Sequence, residues 1–308
     1  MVMEEIIVTT QTIANQNEPV VACIGYFDGC HIGHQTLFNK AIALAKHKKL
    51  KSALITFDPD PWVVLKGLHN IQHVTTLKDR KEYAREKGFD CWITLQFDVN
   101  MAHLSPDAFI DLLTKNNVVH LVCGYDFTFG DKGKGNVDYL RTQNVIPVSI
   151  LEEFDYMDQK VSTTRIIESI KAGDMGLVKK LMGRPYKISG IFVHGKRIGT
   201  QIGFPTANLK VDQEYVIPKM GVYAGYVKVD GIQHPSMISI GYNPTVKDDD
   251  SVSIEGHLFD YAGNLYGREL EFTLISYLRP EMKFSGLDGL IAQLKLDDLE
   301  ARKTLKKL

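Results

Sequence analysis

Two histidines three residues apart, His31 and His34, follow an apolar run and a glycine-rich turn in VVACIGYFDGCHIGHQTLF, residues 20–38. Side chains three apart share one face of a helix, and each imidazole can donate a hydrogen bond to an anionic oxygen. Much later, GFPTANL (203–209) brings the Thr206 hydroxyl and the Asn208 amide close together, and SVSIEGHLF (251–259) carries the carboxylate of Glu255. The first set suits an anion such as a phosphate. The second points a hydroxyl and an amide at a ligand and adds a carboxylate.

Each set needs an element to hold it. VVACIGYF is a continuous apolar run, as in a strand buried on both faces, and Leu37, Ala41, Leu44 and Ala45 after it fall at helical spacing. The motif therefore ends a strand and opens a helix, where amide N–H groups and the positive end of the helix dipole meet. Gly25, Gly29 and Gly33 are expected to let a phosphate approach the backbone. No Lys-Ser/Thr pair follows, so the turn is not a Walker loop, and it lacks GxGxxG. Taken alone, the histidines could also cap or cover the helix; a zinc site would need a third protein ligand, and the neighbours Cys30 and Asp28 belong to the turn itself.

Further strand and helix signals alternate through SALITF, a helix opened by Ser105-Pro106-Asp107, HLVCGYDF and VIPVSIL, which predicts a parallel sheet covered by helices. Two helical segments follow, TTRIIESIKAG and MGLVKKLMG. After about residue 184 the pattern changes to short runs punctuated by Gly, Pro or Asn: YKISGIFVHG, VYAGYVKV, SMISIGY, SVSIEGHLFDY and ELEFTLISYL. These predict an antiparallel barrel or sandwich. A terminal helix is expected over LDGLIAQLKLDDLEARKTLKKL, with Leu287, Leu290, Ile291 and Leu294 on one face. Within SVSIEGHLF, alternation sets Val252, Ile254 and Leu258 on one face and Ser253, Glu255 and His257 on the other. Proline in GFPTANL argues for a loop there.

The chain has 308 residues, 44% of them apolar, and a formal net charge of −1. This is enough for two domains with cores of their own, and gives no reason to expect a nucleic-acid or membrane partner. The four cysteines form no CxxC pair, no apolar run reaches the ~20 residues of a membrane span, and the N-terminus has no signal-peptide core. A cytoplasmic protein is expected.

GYFDGCHIGH resembles the first motif of nucleotidylyltransferases, specifically the FMN adenylyltransferase half of the bacterial bifunctional riboflavin kinase/FAD synthetases. FDPDP (57–61), FDVNMAHLSPDAF (97–109), CGYDFTFGDKGKG (123–135), VSTTRI (161–166) and LMGRPYKISG (181–190) are similar to that family in the same order. GFPTAN, PKMGVYAGYV (218–227), SIGYNPTV (239–246), SIEGHLFDYAGNLYG (253–267) and LRPEMKF (278–284) resemble its riboflavin kinase half.

The resemblance implies a Rossmann-like α/β domain over residues 1–183 and a riboflavin-kinase-like β-barrel with a terminal helix over 184–308. It implies an ATP and flavin site at Gly25, Phe27, Asp28, Gly29, His31, Gly33, His34, Gly124, Asp126 and Phe127, with Ser162, Thr163 and Arg165 on the triphosphate. In the second half it implies Gly203, Pro205, Thr206 and Asn208 around Mg-ATP, Thr206 and Asn208 as Mg²⁺ ligands, and Glu255 as catalytic base. His31, His34 and Arg165 are the catalytic residues implied for the first half. ATP, riboflavin, FMN and FAD are the implied substrates and products.

Without the resemblance, Arg165 reads equally as a solvated helix residue, Phe127 and Phe129 as core, and Glu255 as an exposed strand residue. The chain departs from the family pattern at Asp60 (often histidine), Thr128, Ile167 and Thr200 (often arginine). A one-activity paralogue and a flavin-binding regulator without turnover are the alternative readings.

Overall fold

The computed structural model describes residues 2–11, 18–193, 198–211, 214–242, 252–265 and 267–307, with backbone alone at 198 and 200. The end of YKISGIFVHG, the NPTV part of SIGYNPTV and the Thr200 side chain lie outside the described residues. The chain forms two compact units, Met1–Thr163 and Thr164–Leu308.

The first unit is built on a six-stranded sheet of order β1-β4-β3-β2-β5-β6. Its strands are β1 (Glu4–Val8), β2 (Val20–Ile24), β3 (Lys51–Asp58), β4 (Cys91–Gln96), β5 (Val118–Gly124) and β6 (Val148–Leu151), all paired in parallel. All five residues of β2 are buried, as its unbroken apolar run requires. Alternate residues serve opposite faces. Ala22 and Ile24 pack with Ile55, Ile93 and Phe109, whereas Val21 and Cys23 pack with Leu54, Trp92 and Phe38. Phe38, Ala41 and Ala45 come from α1 (Ile32–Lys48), which covers that second face. The expected start of α5 (Pro106–Lys115) is present: Ser105 Oγ accepts the Ala108 N–H at 3.1 Å and Pro106 takes the first helical position. Shorter helices α2 (Pro61–Lys66), α3 (Leu77–Lys87), α4 (Val99–Ala102) and α6 (Val137–Thr142) complete this unit.

In the second unit, α7 (Thr163–Ala172), which starts at the last residue of the first, and α8 (Met175–Met182) precede the strands. Val178, Leu181 and Met182 of α8 are buried, and the helix packs on β7 (Tyr186–Val193) and β12 (Glu269–Arg279). With β8 (Ala207–Val211), β9 (Gly221–Val229), β10 (Ile232–Tyr242) and β11 (Val252–Leu258) these strands close an antiparallel barrel of order β10-β11-β8-β7-β12-β9. A short helical turn, α9 (Ile198–Gln201), lies before β8.

The terminal helix α10 (Leu287–Leu305) covers part of the barrel's outer face, where Ala301 and Leu305 cluster with Val222, Ala224, Met237 and Phe259. The expected face holds beyond the first turn: Leu287 is exposed, but Leu290, Ile291 and Leu294 are half-buried, and the same stripe continues through Asp297 and Ala301 to Leu305. An aspartate sits within this buried stripe, a charge that apolar periodicity does not register.

Candidate active sites

Strand order reverses between β2 and β5, since β2 leads through α1 to β3 on one side and β5 leads to β6 on the other. Ligands of open α/β sheets bind outside the carboxyl ends of strands at such a point. The register Cys23↔Val122 brings Gly25 and Gly124 level there, so the turn after β2 and the loop after β5 face the same crevice.

Within that turn, His31 is the N-cap of α1, and its Nδ1 accepts the backbone N–H of His34 at 3.2 Å. An accepting Nδ1 leaves the ring hydrogen on Nε2. The His31 and His34 rings stack with centroids 3.5 Å apart and planes 19° from parallel, and Phe27 meets His34 edge-on at 5.2 Å. Ile32 and Gly33, the first two helical residues, have no carbonyl one turn back for their N–H groups. The paired imidazoles thus lie beside these amides at the start of α1.

The glycines also lie close to protein groups. A Cβ on Gly33 would lie 3.2 Å from the His31 ring, and one on Gly25 would lie 2.7 Å from the Phe27 ring. Their bare Cα atoms therefore seat protein side chains. The Gly29 N–H is taken by Thr75 Oγ1 at 2.7 Å.

Asp28 is 6% exposed and spends its carboxylate on a neighbouring loop: Oδ1 accepts from the Thr75 N–H at 2.8 Å and Thr75 Oγ1 at 3.0 Å, and Oδ2 from the Val74 N–H at 3.1 Å. Its backbone carbonyl accepts from Thr163 Oγ1 at 3.1 Å. Behind the turn, His73 Nδ1 lies 3.9 Å from Asp28 and 3.8 Å from Asp60, and Arg80 donates to the Tyr26 carbonyl at 2.6 Å. Burial, with Asp60 and Asp28 nearby, pushes the Tyr26 phenol up against the opposing pull of Arg80. Asp60 also caps α2 by accepting the Trp62 N–H at 2.8 Å.

Across the crevice, Asp126 is exposed and accepts from Lys160 Nζ at 3.0 Å, and the same ammonium donates to the Tyr125 hydroxyl at 2.6 Å. Phe127 stacks on Phe129 at 5.6 Å, and Phe129 belongs to the core. Ser162 and Thr163 close the first unit. Arg165 falls on α7 in the second unit, half-buried, its carbonyl accepting from Ser169 Oγ at 2.8 Å. Thr75, His73 and Lys160 carry no motif of their own in the sequence; only the chain's return to the turn reveals them.

The second site lies on the outer face of the barrel. Glu255 on β11 pairs with Asn208 on β8 on one side and Ser239 on β10 on the other. Its Oε2 accepts from Thr206 Oγ1 at 2.9 Å and its Oε1 from Ser253 Oγ at 3.0 Å. The predicted alternation holds, with Ile254, Gly256 and Leu258 buried and Ser253, Glu255 and His257 half-buried. GFPTANL is a loop only as far as Thr206, and Asn208 stands on β8. Gly203 takes φ 84°, a turn conformation that glycine adopts without strain, and Pro205 precedes the strand, where it costs no ladder bond.

A cavity of about 260 Å³ opens beside these residues, lined by Phe204, Thr206, Glu255, His257, Arg279 and Leu294 among others. Arg279, on its wall, is held by α10: its Nε and Nη2 donate to the two oxygens of Asp297 at 2.8 and 2.6 Å, and Gln293 Nε2 adds a bond at 2.9 Å. Among the described residues no group of three or more His, Cys, Asp or Glu is placed to hold a metal ion.

The sequence model described as FAD synthetase matches residues 13–165, and that of riboflavin kinase matches 182–305. The bifunctional riboflavin kinase/FMN adenylyltransferase of Listeria monocytogenes is 39% identical over 292 residues, covering 94% of this chain and 93% of its own. The chain belongs to the bifunctional riboflavin kinase/FMN adenylyltransferase family. The Bacillus subtilis member is 35% identical over 295 residues, with the same shares of each chain. A crystal structure from Streptococcus pneumoniae, named as a macrolide-efflux protein, superposes with a TM-score of 0.89 at 29% identity, over 96% of this chain and 99% of that one. Among the described residues no helix is long and apolar enough to cross a membrane. The expected Rossmann-like parallel domain and antiparallel barrel with a terminal helix are both present.

Proposed function

We propose that the chain catalyses both reactions of its family: ATP-dependent phosphorylation of riboflavin to FMN on the barrel, and adenylylation of FMN to FAD on the parallel-sheet unit. The observation that carries this reading is the presence of two separate polar constellations, each matched to one chemistry. The stacked His31–His34 pair at a helix start suits an anion, and the Thr206–Glu255–Asn208 group suits a hydroxyl and hard oxygen coordination. The catalytic division is placed at 183/184, so that Arg165 on α7 serves the first reaction. The FAD synthetase match, which reaches Arg165, supports its assignment to the first reaction.

Adenylyl transfer needs no strong base. A phosphate oxygen of FMN, already anionic, attacks the α-phosphorus of ATP, and the bond to the pyrophosphate oxygen breaks. The protein's work is alignment and charge neutralisation. His31 Nε2–H and His34 donate to the phosphates, the Ile32 and Gly33 amides add the helix terminus, and Ser162, Thr163 and Arg165 hold the triphosphate. Gly124 at the end of β5, with Asp126 and Phe127 on the loop after it, receives the flavin nucleotide. Asp28 and Gly29 act from behind, fixing the turn through Thr75.

The kinase step has a different requirement. A riboflavin hydroxyl attacks the γ-phosphorus, the bond to the ADP oxygen breaks, and the hydroxyl proton passes to Glu255. The apolar wall of the cavity receives the flavin, and Gly203, Pro205 and Thr206 face the nucleotide. The Thr206 hydroxyl and the Asn208 amide oxygen are hard donors that fit Mg²⁺, a cation that binds through few protein ligands plus substrate phosphates. When bound there, Mg²⁺ would neutralise polyphosphate charge. We place the protein in the cytoplasm, as a monomer or weak homo-oligomer acting on ATP, riboflavin and FMN without nucleic-acid or membrane partners.

Incubation with riboflavin, ATP and Mg²⁺, with products separated by chromatography, tests the whole reading. FMN followed by FAD is expected. His31→Ala should stop at FMN, and Glu255→Gln should leave riboflavin untouched while still converting added FMN. Wild-type protein that forms neither product would overturn the assignment.

A further inference from the structure

The β8–β11 ladder runs Leu209↔Ile254, Asn208↔Glu255, Ala207↔Gly256 and then stops. One step further, Thr206 lies opposite His257. At that step a side chain replaces the ladder: His257 Nδ1 bonds the Pro205 carbonyl at 2.8 Å. A carbonyl only accepts, so Nδ1 carries the hydrogen. Pro205 has no N–H of its own, so this carbonyl is its one strong backbone handle. The next residue, Thr206, is held by Glu255, and the preceding Phe204 ring lies 5.3 Å from the His257 ring. Three consecutive loop residues thus rest on two side chains of β11, Glu255 and His257, which alternation sets on one face.

We propose that His257 is a positioning residue of the kinase reaction: through its bond to Pro205 it fixes where the Thr206 hydroxyl sits relative to Glu255 and the nucleotide. The inference rests on the kinase reading of this face. The Phe204–Asn208 segment crosses from a glycine turn into a strand within a few residues, so the side chain that stops the Pro205 peptide from rotating also sets Thr206. A misplacement of about 1 Å at a reacting group can cost on the order of 100-fold in rate.

Three variants separate this role from that of a cavity wall. Asn places its amide nitrogen close to where His presents Nδ1, so His257→Asn can still donate to Pro205. His257→Gln carries the amide one methylene too far, and His257→Ala removes the donor. With riboflavin, ATP and Mg²⁺ as the probe, the expected result is a fall in kcat for FMN formation of about 10- to 100-fold in Ala and Gln, recovery to within about threefold in Asn, and a riboflavin KM that moves less than threefold throughout. FMN adenylylation by the same preparations reports that the rest of the chain is intact. The proposal is overturned if Asn is as impaired as Ala, or if the loss appears in riboflavin KM with kcat unchanged. If Ala fails to fold, the Asn–Gln contrast still decides. A fully active Glu255→Gln variant would instead sink the kinase reading of this face, an outcome independent of the His257 series.

Discussion

The His31 imidazole accepts the His34 backbone N–H at 3.2 Å, while the two rings stack at 3.5 Å. One side chain therefore both caps α1 and presents its opposite nitrogen as a donor. Substitution separates the two tasks. Asn is a good N-cap but lacks the distal N–H, so His31→Asn should keep stability near wild type while FAD formation falls about 10- to 100-fold, the worth of one charge-assisted hydrogen bond. His31→Ala should lose the same activity and also about 1 kcal/mol of stability in the first unit. Urea titration together with an FMN adenylylation assay reads both; equal activity in Asn and wild type would show that the distal nitrogen is idle.

Asp28 holds three donors from Val74 and Thr75. Asp28→Ala would leave buried amides without acceptors, at a cost of roughly 2–4 kcal/mol to the first unit. Because the Thr75 hydroxyl also serves the Gly29 N–H, FAD synthesis should fall with stability, and FMN formation on the barrel should stay within twofold. A thermal melt followed by both assays checks this; an Ala variant of wild-type stability would contradict the role given to Asp28.

Local structure was more legible in the sequence than distant contacts. HxGH after an apolar run, alternation around Glu255 and the SPD helix start all express local rules, and each reappears in the fold. What sequence left out depends on distant neighbours. β1 (EEIIV) opens with two acidic residues and becomes a strand by pairing with β4, whose own CWITLQ run is short. Gly25 and Gly33 look like phosphate glycines by position, yet their Cα atoms face Phe27 and His31, a packing fact invisible to spacing. Likewise the buried Asp297, on the continuation of the apolar stripe of α10, gave no sequence signal, because its partner Arg279 lies on another element.

That Asp297–Arg279 pair yields a further expectation. The carboxylate is 4% exposed and binds the guanidinium through both oxygens. Removing one member leaves a charge stranded, which costs about 3–5 kcal/mol when the pair is buried. Asp297→Ala should therefore loosen α10 from the barrel and raise the riboflavin KM, since Arg279 and Leu294 both line the cavity. Asp297→Asn, which keeps one acceptor, should show a smaller rise. Hydrogen exchange of the α10 amides measures the loosening directly; unchanged protection in the Ala variant would mean that apolar packing alone seats the helix.

All four cysteines are buried thiols outside any disulfide. Burial pushes the Cys123 thiol up to about 12 and the Cys91 thiol, with Glu4 beside it, up to about 11; Cys23 is raised by burial as well. A raised native pKa means that the unfolded chain gives up these protons first. The stabilisation is fully present below the ordinary thiol value near 9 and is lost as pH climbs through the native values. Urea midpoints should thus hold between pH 7 and 8 and decline steadily from about pH 9 to 11, with a shallower decline in Cys91→Ala and Cys123→Ala. A thiol reagent at pH 8 should find these groups only after unfolding, because the thiolate is the reactive form and the folded protein suppresses it. Rapid modification of Cys91 or Cys123 in the native enzyme, or a urea midpoint that rises above pH 9, would reverse the sign of this coupling.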